Sequence, residues 1–276
     1  MQLIPVRRMP IPVSGKFARR EECYLDTAAY LNRINYRGPL APTAETLRQL
    51  QVAHLLSVPF ENLSVHWAEP ILLEDEALFE KVVLRRRGGF CYELNGLFAS
   101  LLRALGFDVT MLSAGVANAN GGFGPEFDHM ALMVGLAECW LVDVGFGDSF
   151  REPLLLDERA EQMQGDRSYR IDPDNEGRLI LMQREGSGEW IAQHRFSLKS
   201  HEYADYAEMC RYHQTSPQSS FTQRRVCSLA TPEGRITLSQ LRLITTSNGD
   251  RHERELADEK EYAEALREHF GIMRLS

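Results

Sequence analysis

The order in which hydrophobic patterns change along the chain predicts an α+β fold. Three observations carry that expectation. Up to Phe107 the apolar residues recur at helical spacing. Beyond Gly106 they fall into short runs, partly β-branched or aromatic, separated by Gly, Asn and Asp. From about residue 216, short strand-like runs give way to a terminal helical stretch. Helices followed by strands argue against a doubly wound parallel sheet, in which the two alternate. The sequence contains no internal repeat and no low-complexity tract.

Each element follows from its local pattern. Tyr24, Leu25, Tyr30 and Leu31 mark a first helical segment. A second helix is expected to start at Thr43, where Pro42 stands just ahead, Thr43 and Thr46 form an imperfect capping pair, and Leu47, Leu50, Ala53 and His54 follow. A third starts at Cys91, because Leu94, Leu97, Phe98, Leu101, Leu102 and Leu105 are separated by gaps of 3, 1, 3, 1 and 3. Val109 to Val116, Met130 to Leu136 and Trp140 to Val144 read as strands. Leu179 to Arg184 and Trp190 to Leu198 form a hairpin around Gly186-Ser187-Gly188. In the last unit, strands near Val226 and Ile236 flank Pro232-Glu233-Gly234. A strand from Leu241 to Thr245 meets the turn Ser247-Asn248-Gly249-Asp250, and a helix covers about 257–270. The chain therefore divides into an arm over 1–21, a helical segment over 22–107, a β segment over 108–215 and an α/β segment over 216–276.

The 276 residues are enough for two or three subdomains sharing an extensive core. A hydrophobic fraction of 43% and a charged fraction of 25% exclude a disordered or fibrous chain. The formal charge of -8 tells against nucleic acid as the main partner, although a local cationic cleft could still bind an anion. Arg85, Arg86 and Arg87 have two readings, such a cleft or a solvated basic turn. Five cysteines, an odd number with no CxxC pair, indicate neither a disulfide framework nor a zinc site, and no metal is expected. Free thiols fit a reducing cytoplasm. No apolar run approaches a membrane span. The first twenty residues carry Arg7, Arg8, Lys16, Arg19 and Arg20 with three prolines and lack the apolar core of a secretory signal. They read as an extended arm or an early start, with Met9 as an alternative start.

The chemistry concentrates in the run Arg85 to Gly96. Cys91 sits where a loop becomes a helix, behind Gly88 and Gly89, which allow close backbone approach. Helix N-terminal N–H groups favour negative charge, so a cysteine there is disposed to be a thiolate nucleophile. Such a thiol normally has an imidazole nearby, oriented by a third group. Of the eight histidines, His129 stands out. It opens the strand-like run His-Met-Ala-Leu-Met-Val directly after the glycine-rich loop 118–125. Asp143 lies in the otherwise apolar run Trp140 to Gly147, where an unpartnered carboxylate would be costly. Singly, a strand histidine is more often structural, and an apolar-strand Asp also reads as a loop cap. Together, His129 and Asp143 on neighbouring strands would partner each other and hold Cys91 as its thiolate.

These residues also carry a resemblance. Arg87-Gly88-Gly89-Phe90-Cys91-Tyr92-Glu93-Leu94-Asn95 resembles the Arg-Gly-Gly-x-Cys-Phe/Tyr-Glu-x-Asn signature of arylamine N-acetyltransferases. Val58-Pro59-Phe60-Glu61-Asn62-Leu63 resembles the family's upstream element, and Val142-Asp143-Val144-Gly145-Phe146-Gly147 its Val-Asp-Val-Gly-Phe-Gly element. Ser216-Pro217-Gln218-Ser219-Ser220-Phe221 and Phe270-Gly271-Ile272 are similar to two later segments. The separations also suit it, 129 - 91 = 38 from Cys to His and 143 - 129 = 14 from His to Asp. The likeness spans about residues 22 to 273.

The resemblance implies a helical bundle, a central antiparallel β-barrel and a C-terminal α/β lid around a papain-like core, with Cys91, His129 and Asp143 as the catalytic triad. It implies ping-pong chemistry. Acetyl-CoA acylates Cys91, CoA leaves, and a small aromatic amine or hydrazine attacks the thioester while His129 handles protons. A role in xenobiotic metabolism goes with it. Phe60, Phe146 and Phe221 are the implied acceptor-lining positions, and Phe60 reads equally as core. The N–H groups of Gly121, Gly122 and Gly124 could meet the cofactor's pantetheine or phosphates, or form a bare turn. Glu93 and Asn95 are expected to brace the backbone around the nucleophile, and the Cys91 N–H is a candidate oxyanion donor. Two departures stand out. Asp128 occupies a position where the family often has threonine, and a second carboxylate there would raise the imidazole pKa or repel cofactor phosphates. The N-terminal arm is the other. An amide synthase, an amide or thioester hydrolase, and a catalytically silent CoA-binding module are the competing readings.

Overall fold

The computed structural model describes residues 25–274, so the expected arm and Tyr24 lie outside the described residues. Asp26 opens the first helix by accepting the N–H of Ala29 at 2.9 Å, and α1 runs over Thr27–Arg33. Thr43 caps the second as expected, accepting the Thr46 N–H at 3.2 Å ahead of α2 (Ala44–Ser57). Three pieces too short to show a period follow, namely β1 (Phe60–Glu61), α3 (Leu63–His66) and α4 (Asp75–Phe79), the last continuing through a π turn over Glu80–Leu84. Helix α5 covers Cys91–Ala104 and begins at the residue the spacing marks. Leu94, Leu97, Phe98, Leu101 and Leu102 are fully buried. Each is worth roughly 1.5–3 kcal/mol in transfer alone, so α5 is an anchored support for the residue at its tip.

Eight antiparallel strands come next: β2 (Asp108–Val116), β3 (His129–Gly135), β4 (Cys139–Val142), β5 (Leu154–Leu155), β6 (Gln162–Gln164), β7 (Arg167–Pro173), β8 (Leu179–Glu185) and β9 (Ile191–Phe196). Their order in the sheet is β5-β4-β3-β2-β9-β8-β7-β6. The expected barrel is nearly closed, and side chains rather than a strand ladder join its two edges. Gln162 donates to Leu155 O and accepts its N–H at 2.9 and 2.8 Å, and Gln164 accepts from Arg151 and Glu152. Strands β2 to β4 are buried on both faces, which explains their continuous apolar runs. Met111, Met130, Leu132 and Val142 pack toward α5, whereas Leu112, Ala131 and Leu141 fill the barrel.

After a 3₁₀ turn at Tyr203–Tyr206 come α6 (Ala207–Thr215) and the single-turn α7 (Ser220–Gln223). The last sheet, β1-β10-β11-β12-β13, is antiparallel and comprises β1 with β10 (Val226–Thr231), β11 (Gly234–Ser239), β12 (Arg242–Ser247) and β13 (Asp250–Glu255). Helix α8 (Glu259–Phe270) covers it. Asp258 caps its start, and Gly271 at φ 67° ends it where a left-handed residue is needed. Asp143 differs from expectation, since β4 ends at Val142 and the carboxylate sits in the loop just beyond.

Candidate active site

The residues around Cys91 are held by bonds between segments far apart in sequence. Arg87 is buried and donates to Glu61 Oε1 from Nε at 3.0 Å, while Glu61 Oε2 accepts the Leu63 N–H. Arg87 also reaches Glu69 and lies 4.3 Å over the Trp67 ring. A Cβ on Gly88 would collide with the carbonyl oxygen of Pro59, so only glycine lets the two loops meet. Glu93 Oε2 accepts the Phe90 N–H at 3.1 Å, and its other oxygen pairs with Lys81 at 2.6 Å. The start of α5 is therefore fixed before any catalytic partner is considered.

His129, the first residue of β3, meets Asp143 across the sheet, with Nε2 to Oδ2 at 2.7 Å and both side chains almost wholly buried. Asp143 Oδ1 accepts from Asn95 Nδ2 and Gly145 N, each at 2.8 Å. Asn95 also donates to Met130 O at 2.6 Å and accepts the Val144 N–H at 2.9 Å, tying α5 to β3 and to the Asp143 loop. Gly145 makes this approach possible, because a Cβ there would stand 2.7 Å from Cys91 Cα. With Nε2 engaged by Asp143, the other ring nitrogen remains for the Cys91 thiol, whose proximity favours the charged imidazole. Burial works against an imidazolium at His129, but the Asp143 charge, its hydrogen bond and the Cys91 contact outweigh it, raising the pKa to about 10. Burial likewise pushes the Asp143 carboxyl up, and the charge and hydrogen bond of His129, with Asn95, hold it below its usual value. A charged imidazolium-carboxylate pair thus stands beside a thiol at a helix N-terminus.

Three half-buried aromatic residues lie near this centre. Phe146 meets His129 edge-on at 5.2 Å between ring centroids. Phe221 packs 6.2 Å from Phe60 and 5.5 Å from Phe90, and the Phe60 ring lies against Gly147.

Comparisons with known proteins agree in kind. A family model described as N-acetyltransferase matches residues 43–274. The arylamine N-acetyltransferase of Mycobacterium tuberculosis is 34% identical over 255 residues, covering 90% of this chain and 89% of its own length. The chain belongs to the arylamine N-acetyltransferase family. Among solved structures, the Salmonella typhimurium enzyme of that name superposes with a TM-score of 0.84 at 31% identity, over 89% of this chain and 90% of its own. The Mycobacterium marinum arylamine N-acetyltransferase in complex with CoA gives 0.83 at 33%, over 90% and 93%.

Set in this N-acetyltransferase fold, several expected site residues take other parts. Arg87 is neither a cationic cleft nor a solvated turn, because it is consumed by the buried pair with Glu61. The glycine loop is bonded internally. The N–H groups of Gly121, Gly122 and Gly124 donate to Asn118 O, Asn118 Oδ1 and, at the end of β2, Val116 O. Gly124 is needed for space, since a Cβ there would collide with Asp128. Asp128 is engaged by two other groups. Its Oδ2 accepts the Val116 N–H at 3.2 Å and its Oδ1 stands 3.3 Å from His213 Nε2.

Sequence reasoning missed His194. It lies on β9, fully buried, with its ring 5.3 Å from both His129 and Phe146 and neither ring nitrogen bonded. Burial, followed by the nearby His129 charge, lowers its pKa to about 3. An isolated histidine in the run Ala192-Gln193-His194-Arg195 gives no signal before β9 is placed beside β2 and β3. His129, Asp143 and His194 bring possible metal-ligand atoms within 4.8 Å of one another. Two ligands of one tetrahedral zinc stand roughly 3.3 Å apart, whereas Nε2 and Oδ2 are at 2.7 Å. As placed, that pair shares a proton rather than clamping an ion.

Proposed function

We propose that the protein transfers an acetyl group from acetyl-CoA, through a thioester on Cys91, to the nitrogen of an aromatic amine or hydrazine. The observation that carries this is His129 held between Asp143 and Cys91 in a buried, charge-stabilised geometry. The Cys91 thiolate attacks the acetyl carbonyl, the bond to the CoA sulfur breaks, and the His129 imidazolium gives its proton to the departing CoA. The acceptor nitrogen then attacks the acetyl-cysteine. Neutral His129 takes the amine proton as the thioester bond breaks, and the thiolate-imidazolium pair is restored. Cys91 is the first residue of α5, and N–H groups of a first helical turn have no intrahelical acceptor, so that of Cys91 is the donor we assign to the oxyanion.

The aromatic acceptor has its own physical support. Conjugation leaves an aniline nitrogen mostly unprotonated at neutral pH and able to attack, whereas an alkylamine is mostly ammonium. A ring also suits the half-buried Phe60, Phe146 and Phe221. In this reading 22–107 brings the nucleophile, 108–215 its base and carboxylate, and 216–276 the Phe221 wall. Foreign aromatic amines are the proposed physiological class. The four described cysteines are free, and no described helix is long and apolar enough to cross a membrane. A reducing cytoplasm is the proposed setting.

The test is a panel of anilines, hydrazines and amides assayed with acetyl-CoA. Amine-dependent CoA release is expected. Amide cleavage without amine-dependent release would replace the transferase with a hydrolase.

A further inference from the structure

Resting on that reading, we propose that Asp128 and His213 form a clasp that positions the Phe221 wall against the catalytic strand and so sets how the acceptor is held. The two residues come from different elements. Asp128 directly precedes His129 on the barrel side, and His213 belongs to α6. His213 Nε2 stands 3.3 Å from Asp128 Oδ1, with side-chain exposures of 7% and 18%. The contact is an ion-pair distance rather than an aligned hydrogen bond. The other ring nitrogen, Nδ1, lies 3.0 Å from Ser219 Oγ.

Ser219 makes the clasp directional. Its Oγ caps α7 by accepting the Phe221 N–H at 3.2 Å, so its own proton is free to go to Nδ1 of His213. That arrangement places the ring's proton on Nε2, the nitrogen 3.3 Å from the Asp128 carboxylate. The His213 ring meets Phe221 edge-on at 5.1 Å and stacks on Tyr92, the neighbour of Cys91, at 6.1 Å. Tyr92 in turn donates to the carbonyl oxygens of Phe127 and Asp128 at 2.6 and 3.3 Å. Asp128 is fixed from behind by the Val116 N–H. A continuous chain of contacts therefore runs from the strand carrying His129 through Asp128, His213 and Ser219 to Phe221. Asp128 and His213 form none of the bonds that His129 makes to Asp143 or Cys91, so they act through Phe221 as positioning residues.

Asp128→Asn and His213→Gln, each near in shape to the original, and the double variant test this. Three quantities are read for each: the acceptor KM and kcat with para-substituted anilines, the acetylation rate of Cys91 by acetyl-CoA, and its alkylation by iodoacetamide, which is too small to need the wall. Each single variant is expected to raise the acceptor KM about 10-fold with kcat and alkylation within about 2-fold, because a displaced wall weakens binding without touching ionisation. The double variant is expected to be no worse than the worse single one. An unchanged acceptor KM in both single variants, or alkylation and acetylation falling together, would overturn the clasp. Failure of the transferase reading is a different result, namely no acetylation of Cys91 in the unmodified protein.

Discussion

The two walls of the active site are built differently. On the triad side, Asp143 accepts three bonds of 2.7 to 2.8 Å, Asn95 joins helix to strand to loop, and the side chains of His129 and Asp143 are at most 4% exposed. Around the aromatic residues, Phe60 and Phe221 are half-buried, their ring contacts span 5.1 to 6.2 Å, and His213 of α6 stands 3.3 Å from Asp128 without an aligned hydrogen bond. Reacting groups must be held to a fraction of an ångström, whereas rings of varied outline are better met by apolar surfaces that adjust. In the proposed reading, the difference separates a wall that does chemistry from one that selects what the chemistry acts on.

The largest expected effect comes from breaking the rigid wall. Asp143→Asn removes the charge that offsets burial at His129, so its pKa falls back from about 10. Steady-state acetyl transfer is expected to drop about 10³-fold or more. Iodoacetamide alkylation of Cys91 at pH 6 should fall with it, because the imidazolium partner is lost. The sign follows from the shift. A raised His129 pKa gives stability that is full below 6.5 and is lost as pH rises through about 10. The variant should therefore show a smaller loss of Tm between neutral and strongly alkaline pH. Next in size is the adjustable wall. Phe221→Ala is expected to raise the acceptor KM about 10-fold while acetylation of Cys91 by acetyl-CoA changes much less, as separate half-reaction kinetics would show.

The smallest effect tests the silent histidine. His194 is depressed to about 3 by burial and the nearby His129 charge, so its contribution is present above 6.5 and is lost as pH falls below that value. Each such group makes stability fall by about 1.4 kcal/mol per pH unit in that range. His54, also buried, unbonded and depressed to about 3, adds the same slope. His194→Phe should roughly halve the part of the acid slope these two residues supply, read from denaturant midpoints between pH 6.5 and pH 5. An unchanged slope would show that His194 does not remain neutral on folding.

What could be read from the sequence follows the same division. Helix α5 was legible because its core face repeats over four turns, and α2 because Thr43 caps it. Cys91, His129 and Asp143 were legible as a helix-start thiol, a strand-start imidazole and a carboxylate in an apolar run. The bracing by Glu93 and Asn95 also followed from their place in the first turn. Other parts had no local signal. Strand β13, Asp-Arg-His-Glu-Arg-Glu, is exposed along its whole length and has no apolar period. Strands β5 and β6 are only two and three residues long. Arg87 looked cationic because Glu61, its partner, is 26 positions away. Asp128 reads as a disturbance of His129 or of cofactor phosphates because its partner His213 lies far along the chain in α6. His194 and His213 acquire meaning only from tertiary neighbours, which a one-dimensional pattern does not contain.

The central claim is that the acyl group passes through Cys91, and mass spectrometry of the protein mixed with acetyl-CoA tests it most directly. A single acetyl group is expected on the peptide containing Cys91, absent from Cys91→Ala and discharged when an aniline is added. Acetylation elsewhere, or amine acetylation proceeding undiminished in Cys91→Ala, would contradict it.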